Sequence, residues 1–140
     1  MEQKLKIACL VSGGGTNLQA IIDNIEAGKL KAEIAAVISN VPGTGAVDRA
    51  KKHGLPAFVV NHKDFASREL FDRELAAIID RQGATLVCLC GFMRIFSPVM
   101  PQAYPNLIVN IHPSLLPSFP GTRVQQQALR IYQDMALLAL

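Results

Sequence analysis

The feature that most constrains this chain is its first segment. The run Leu5 to Val11 is almost continuously apolar, Gly13, Gly14 and Gly15 follow at once, and a helical pattern then begins. A strand apolar at odd and even positions alike is buried on both faces, which is the condition of a parallel sheet covered by helices. Leu18, Ile21, Ile22 and Ile25 recur at helical spacing, and Gly28 is a natural stop. The same alternation continues. Ile34 to Ser39 reads as a second strand, ending in a Pro- and Gly-bearing turn over 40–45. Ala46 to His53 reads as a short helix stopped by Gly54, and Ala57 to Val60 as a third strand. Ser67 is placed to cap a helix carrying Phe71, Leu75 and Ile78 on one side, with Gly83 past its end. Thr85 to Cys90 and Leu107 to Ile111 are further strand-like runs, and Gln125 to Leu140 has a helical pattern. Alternating strands and helices predict a doubly wound, mostly parallel, Rossmann-like α/β sheet with right-handed crossovers. No repeat or linker divides the chain, so residues 1–140 are expected to form one domain.

Half of the 140 residues are apolar, enough to close a core without a disulfide or metal staple and too many for disorder. No apolar run approaches the roughly 18 residues of a membrane span. Met1 to Lys6 lead directly into a short apolar stretch and lack the features of a signal peptide. Cys9, Cys88 and Cys90 all lie in strand-like runs, as reduced thiols of a cytoplasmic protein would. The net charge of +3 is modest and its basic residues are scattered, which favours a small anionic partner over a nucleic acid.

In sheets of this kind ligands bind beyond the carboxyl ends of the strands. Three segments fall there. In Ser12-Gly-Gly-Gly-Thr-Asn-Leu18, glycines admit a ligand close to the backbone, and the helix behind offers unpaired N–H groups to a phosphate. Packing alone would explain the glycines as readily, and neither G-x-x-x-x-G-K-[ST] nor G-x-G-x-x-G is present. Gly91-Phe-Met-Arg-Ile-Phe-Ser-Pro98 could line a flat apolar pocket, or Phe92, Met93, Ile95 and Phe96 could simply be core. In Asn110-Ile-His-Pro-Ser-Leu-Leu-Pro117, Asn110 and His112 are two apart in a strand and point to one side. An amide donor beside an imidazole suits a reaction that develops an oxyanion and moves a proton, although a strand-end His is more often a structural residue. Cys88 and Cys90 lack metal-ligand spacing, and no metal site is expected. His53 and His62 read as solvated, and Asp72, Glu74 and Asp80 as the wet face of their helix. Arg68, in the first turn of that helix, is either a surface cation or a ligand contact.

Taken together, these segments resemble the folate-dependent formyltransferases of purine synthesis, in the branch that acts on glycinamide ribonucleotide. The likeness runs from about residue 4 to 121 and includes Ser67-Arg-Glu and Pro120-Gly121. It implies the formyltransferase fold and transfer of a formyl group from 10-formyltetrahydrofolate, as co-substrate, to the amine of 5-phosphoribosylglycinamide, with no metal. By that resemblance Gly15, Thr16, Asn17 and Leu18 hold the substrate phosphate. Arg68, Met93, Arg94, Ile95, Phe96 and Asn110 contact the folate. His112 is the catalytic acid, and Asn110 donates to the oxyanion. After Gly121 the family carries a His within two residues, where Thr122, Arg123 and Val124 stand here, and residues 122–140 depart from its pattern. The family's carboxylate partner of the His lies still further on. The expectation is therefore a fold incomplete at its C-terminus, with negligible turnover by 140 residues alone and a tendency of the apolar end to form homo-oligomers. Two other readings stand beside this one: an inactive phosphate- or nucleotide-binding module of the same fold, and a generic α/β nucleotide-binding protein, which would have no need of Asn110 and His112.

Overall fold

A computed structural model describes residues 4–110. Five parallel strands, β1 (Leu5–Val11), β2 (Ala32–Ser39), β3 (Ala57–Val59), β4 (Leu86–Leu89) and β5 (Ile108–Asn110), form one sheet in the order β3-β2-β1-β4-β5. This is the order of doubly wound dinucleotide-binding sheets through five strands, and it reverses between β1 and β4. Four helices connect them: α1 (Thr16–Glu26), α2 (Gly45–Lys52), α3 (Arg68–Arg81) and α4 (Val99–Ala103).

The strand period of two sorts the core into two layers. Leu5, Ile7, Cys9 and Val11 of β1 pack with Leu18, Ile21 and Ile22 of α1 and Ala46 and Ala50 of α2. Ala8 and Leu10 pack on the other face with Phe71, Leu75, Ile78 and Ile79 of α3 and Met100 of α4. Both faces are thus covered, which is why β1 is apolar without a break from Ile7 to Val11. The pairing of β1 with β2 is regular except at one bulge, where Ile7 opposes Ile34 and Ala8 opposes Ala36.

The helix ends follow local chemistry. Ser67 Oγ accepts from Leu70 N at 3.2 Å and caps α3, and Gly83, with φ 78°, closes its other end. The expected strands and the first three helices are present, with boundaries shifted by one or two residues. Helix α4 was not expected: its five residues are too few to show a helical period, and Pro101 sits within the first turn, where a missing N–H costs nothing. The helical pattern over 125–140 lies outside the described residues.

Two expectations need correction. Asp72 is not on the wet face of α3 but fully buried, because it shares the inward stripe of Leu75 and Ile79, three and seven residues on. Asp80 is exposed, yet it accepts the Tyr104 hydroxyl at 2.7 Å, and Glu74 is half-buried. His53 and His62 are also half-buried rather than solvated: His53 Nδ1 lies 3.3 Å from Glu26, and His62 Nδ1 lies 3.2 Å from both the side chain and the carbonyl of Asn40. The three cysteines are buried thiols. A hydrogen bond with Cys90, reinforced by burial, pushes the Cys9 thiol well above its ordinary pKa and keeps it protonated.

Candidate active site

The carboxyl ends of β1 and β4 are neighbours at the point where strand order reverses. The loop after β1 is locked by its glycines. Gly15 has φ 84° and caps α1. A Cβ there would lie 2.7 Å from Ala46 Cα and 2.9 Å from Ala46 Cβ, so α2 packs against bare backbone. Gly13 O accepts from Ala46 N at 3.2 Å, and Gly14 O accepts from Arg49 Nε at 2.8 Å. In a planar trans peptide the N–H opposes the C=O. The N–H groups of Gly14 and Gly15 therefore point away from α2, in the loop that leads into α1. That helix has no acidic residue in its first turn, and its leading N–H groups and dipole favour an anion. Thr16 is exposed there, Asn17 is half-buried, and Leu18 is core. A groove of about 510 Å³ opens alongside, lined by Thr16, Gln19, Asp23, Asn24, Lys29 and Arg49 among others.

The loop after β4 starts at Gly91, with φ 73°, where an added Cβ would lie 3.7 Å from Asn17 Nδ2. The two loops are joined directly. Met93 N donates to Ser12 Oγ at 2.9 Å, and Ser12 Oγ donates to Asn40 Oδ1 at 2.6 Å. Residues 92–96 are extended and belong to no strand, with side chains alternating between half-buried and exposed. Met93 is 82% exposed and Ile95 74%, so these two are not the core residues that their apolar character allowed. Phe92 and Phe96 turn inward and stack at 5.5 Å, and the Arg94 guanidinium lies 5.7 Å from the centre of the Phe71 ring. The loop ends at Ser97, whose N and Oγ both donate to Asp72 Oδ2, at 2.7 and 2.6 Å.

Asn110 ends β5, opposite Leu89 of β4, and is exposed. Arg68, exposed at the start of α3, lies one turn from Phe71 and Asp72, which touch the β4 loop. Gly15, Thr16, Asn17, Met93, Arg94, Ile95, Phe96 and Asn110 thus gather on one edge of the sheet. His112 lies outside the described residues. The sequence did not single out Ser12, Asn40, Asp72 and Ser97, which support these loops. For Asp72 the available signal was its place on the helical stripe of Leu75 and Ile79. Among the described residues no group of three His, Cys, Asp or Glu side chains could hold a metal, and no helix is long and apolar enough to cross a membrane.

A family model described as formyl transferase matches residues 5–135. The chain belongs to the formyl transferase family. Among similar members is the trifunctional purine biosynthetic protein adenosine-3 of Drosophila melanogaster, 45% identical over 130 residues, which are 91% of this chain and 10% of that one. The phosphoribosylglycinamide formyltransferase of Escherichia coli (strain K12) is 43% identical over 125 residues, 89% of this chain and 59% of that protein. The crystal structure of glycinamide ribonucleotide transformylase 1 from Symbiobacterium toebii superposes with a TM-score of 0.75 at 43% identity, covering 91% of this chain and 60% of that one. The chain spans about six-tenths of these two formyltransferases and a tenth of the trifunctional protein. This formyl transferase sheet thus has the topology expected from the sequence.

Proposed function

We propose that this chain serves transfer of a formyl group from 10-formyltetrahydrofolate to the amine of 5-phosphoribosylglycinamide, in purine synthesis in the cytoplasm. The observation that carries the reading is the hydrogen bond from Met93 N to Ser12 Oγ, which sets an anion-receptive glycine loop and an exposed apolar loop side by side at the switch point. The substrate phosphate sits on the backbone of Gly15, Thr16, Asn17 and Leu18. The flat folate lies along Met93, Arg94, Ile95 and Phe96, with Arg68 reaching it from α3. Asn110, beside β4, is between the two ligands. The amine attacks the formyl carbon, and the tetrahedral intermediate places negative charge on the former carbonyl oxygen. Asn110 Nδ2 donates to that oxygen, and His112 moves the proton from the attacking amine to the departing folate nitrogen as the carbon–nitrogen bond breaks. The names of the relatives support this reading, as do the buried thiols, which suit a reducing compartment.

Calorimetry tests the substrate class. Phosphoribosylglycinamide is expected to bind and ATP is not; binding of ATP alone would sink the reading. Where transfer is assayed, His112→Ala is expected to lower turnover by roughly 10²–10⁴-fold with binding nearly unchanged, since proton transfer is used in the transition state. Near-normal turnover would return His112 to a structural role.

A further inference from the structure

We propose that Asp72 is a positioning residue for the loop over residues 93–96, acting through Ser97. The proposal rests on the reading that this loop receives the folate. Asp72 is fully buried in the layer of Phe71, Leu75 and Ile79, an environment in which a carboxylate is costly. Helix α3 has no structural need of it there: Ser67 already caps the helix, and the neighbouring inward positions are apolar. A buried polar network can be no more stabilising than apolar packing, so its use is to fix a geometry.

Asp72 fixes one geometry. Both of its contacts are to Ser97 and both reach the same oxygen, Oδ2; the hydroxyl contact, at 2.6 Å, has the length of a charge-assisted bond. Ser97 Oγ also accepts from Val99 N at 3.3 Å, which ties the loop's end to the start of α4. At its other end the loop is held by Met93 N on Ser12 Oγ. Residues 94–96 are strung between these anchors, in the extended form that leaves Met93 and Ile95 outward and brings Arg94 over Phe71, next to Asp72 on α3. Among the described residues, Asp72 Oδ1 and Arg94 Nε are both buried with no hydrogen-bond partner. The carboxylate is therefore committed to the Ser97 tether. Releasing Ser97 would free the loop at one end and blur the spacing of its backbone groups, while the glycine loop after β1 would keep its own supports on α2.

The test compares Ser97→Ala, Ser97→Thr, Asp72→Asn and Asp72→Ala in the whole chain. It reads amide hydrogen exchange and calorimetric affinity for 5-formyltetrahydrofolate and for phosphoribosylglycinamide. Ser97→Ala is expected to speed exchange over residues 94–96 at least about tenfold and to weaken folate binding by about the same factor, because a hydrogen bond to a charged group is lost. Affinity for phosphoribosylglycinamide should stay within about twofold, as should exchange in β1 and β4. Ser97→Thr should restore the parent values. Asp72→Asn should fall between, since an amide oxygen can still accept both bonds without the charge, and Asp72→Ala should be the most affected. Parent-like exchange and folate affinity in Ser97→Ala would overturn the proposal. So would equal loss of both ligands together with faster exchange in β1 and β4, which marks general destabilisation. Should the parent chain bind no folate, the functional reading fails on its own account, and exchange over residues 94–96 decides the positioning role by itself.

Discussion

Gly15 and Asp72 secure the two loops of the site by opposite means. The loop after β1 is held by close approach of backbone: a left-handed glycine lies against Ala46, and two carbonyls are taken up by α2. The loop after β4 is held by side-chain tethers at its ends, Ser12 at one and Ser97 with Asp72 at the other, while Met93 and Ile95 between them stand in solvent. The contrast fits the ligands proposed for each. A phosphate needs a rigid array of N–H groups, and the steric lock supplies it. A flat, largely apolar ligand needs exposed side chains with a fixed backbone behind them, and end tethers supply that.

Six substitutions break or sharpen this contrast, beginning with the largest effect. Gly15→Ala should cost about 3 kcal/mol, combining a strained positive φ with a clash against helix backbone, whereas Gly13→Ala, with nothing within 4 Å of its Cβ, should be almost neutral. Urea midpoints for the pair check this, and similar values for both would remove the lock. Tyr104→Phe removes the hydroxyl's bonds to Asp80 Oδ1 and the Ala76 carbonyl, which tie the end of α4 to α3 behind the β4 loop, at about 1.5 kcal/mol at neutral pH. Burial, with the Asp80 carboxylate adding to it, pushes the Tyr104 phenol well above its ordinary value. The folded state thus retains a proton that the unfolded chain gives up. The stabilisation is fully present below about pH 10, the unfolded value, and is lost as pH rises toward the folded one. Denaturation of parent and variant across neutral to alkaline pH should show two stabilities that converge; a constant gap would contradict the assignment. Arg49→Ala should cost about 1 kcal/mol, because it releases Gly14 O and Gln19 Oε1. It should weaken phosphoribosylglycinamide binding and spare the folate, and the reverse selectivity would undo the division of labour. Smallest in stability are Met93→Ala and Ile95→Ala, within about 0.5 kcal/mol because both side chains are exposed. Their effect should appear in folate affinity alone.

Much of this architecture was legible in the sequence because it follows from strong periodic signals. The nearly continuous apolar run of β1 required cover on both faces, and the Ser67 cap and the Gly83 end bracketed α3 within a residue. The glycine loop and the 91–98 loop were legible as strand-end segments. The supports were not. Asp72 belongs to the inward stripe of α3, yet a lone carboxylate beside Phe71 gives no local sign that a serine 25 residues later will meet it. Whether Met93 and Ile95 face the core or solvent depends on tethers at Ser12 and Ser97, which are contacts across the fold rather than along the chain. Helix α4 escaped because five residues hold little more than one turn.

The central claim, two ligands held side by side at the reversal between β1 and β4, is tested most directly by amide chemical-shift mapping on the labelled chain. It would be titrated separately with phosphoribosylglycinamide and 5-formyltetrahydrofolate. The first should perturb residues 13–18 and the second residues 92–96 and Asn110, with Ser12 responding to both. Perturbations confined to the opposite edge of the sheet, around His53 and Leu55, or identical maps for the two ligands, would contradict it.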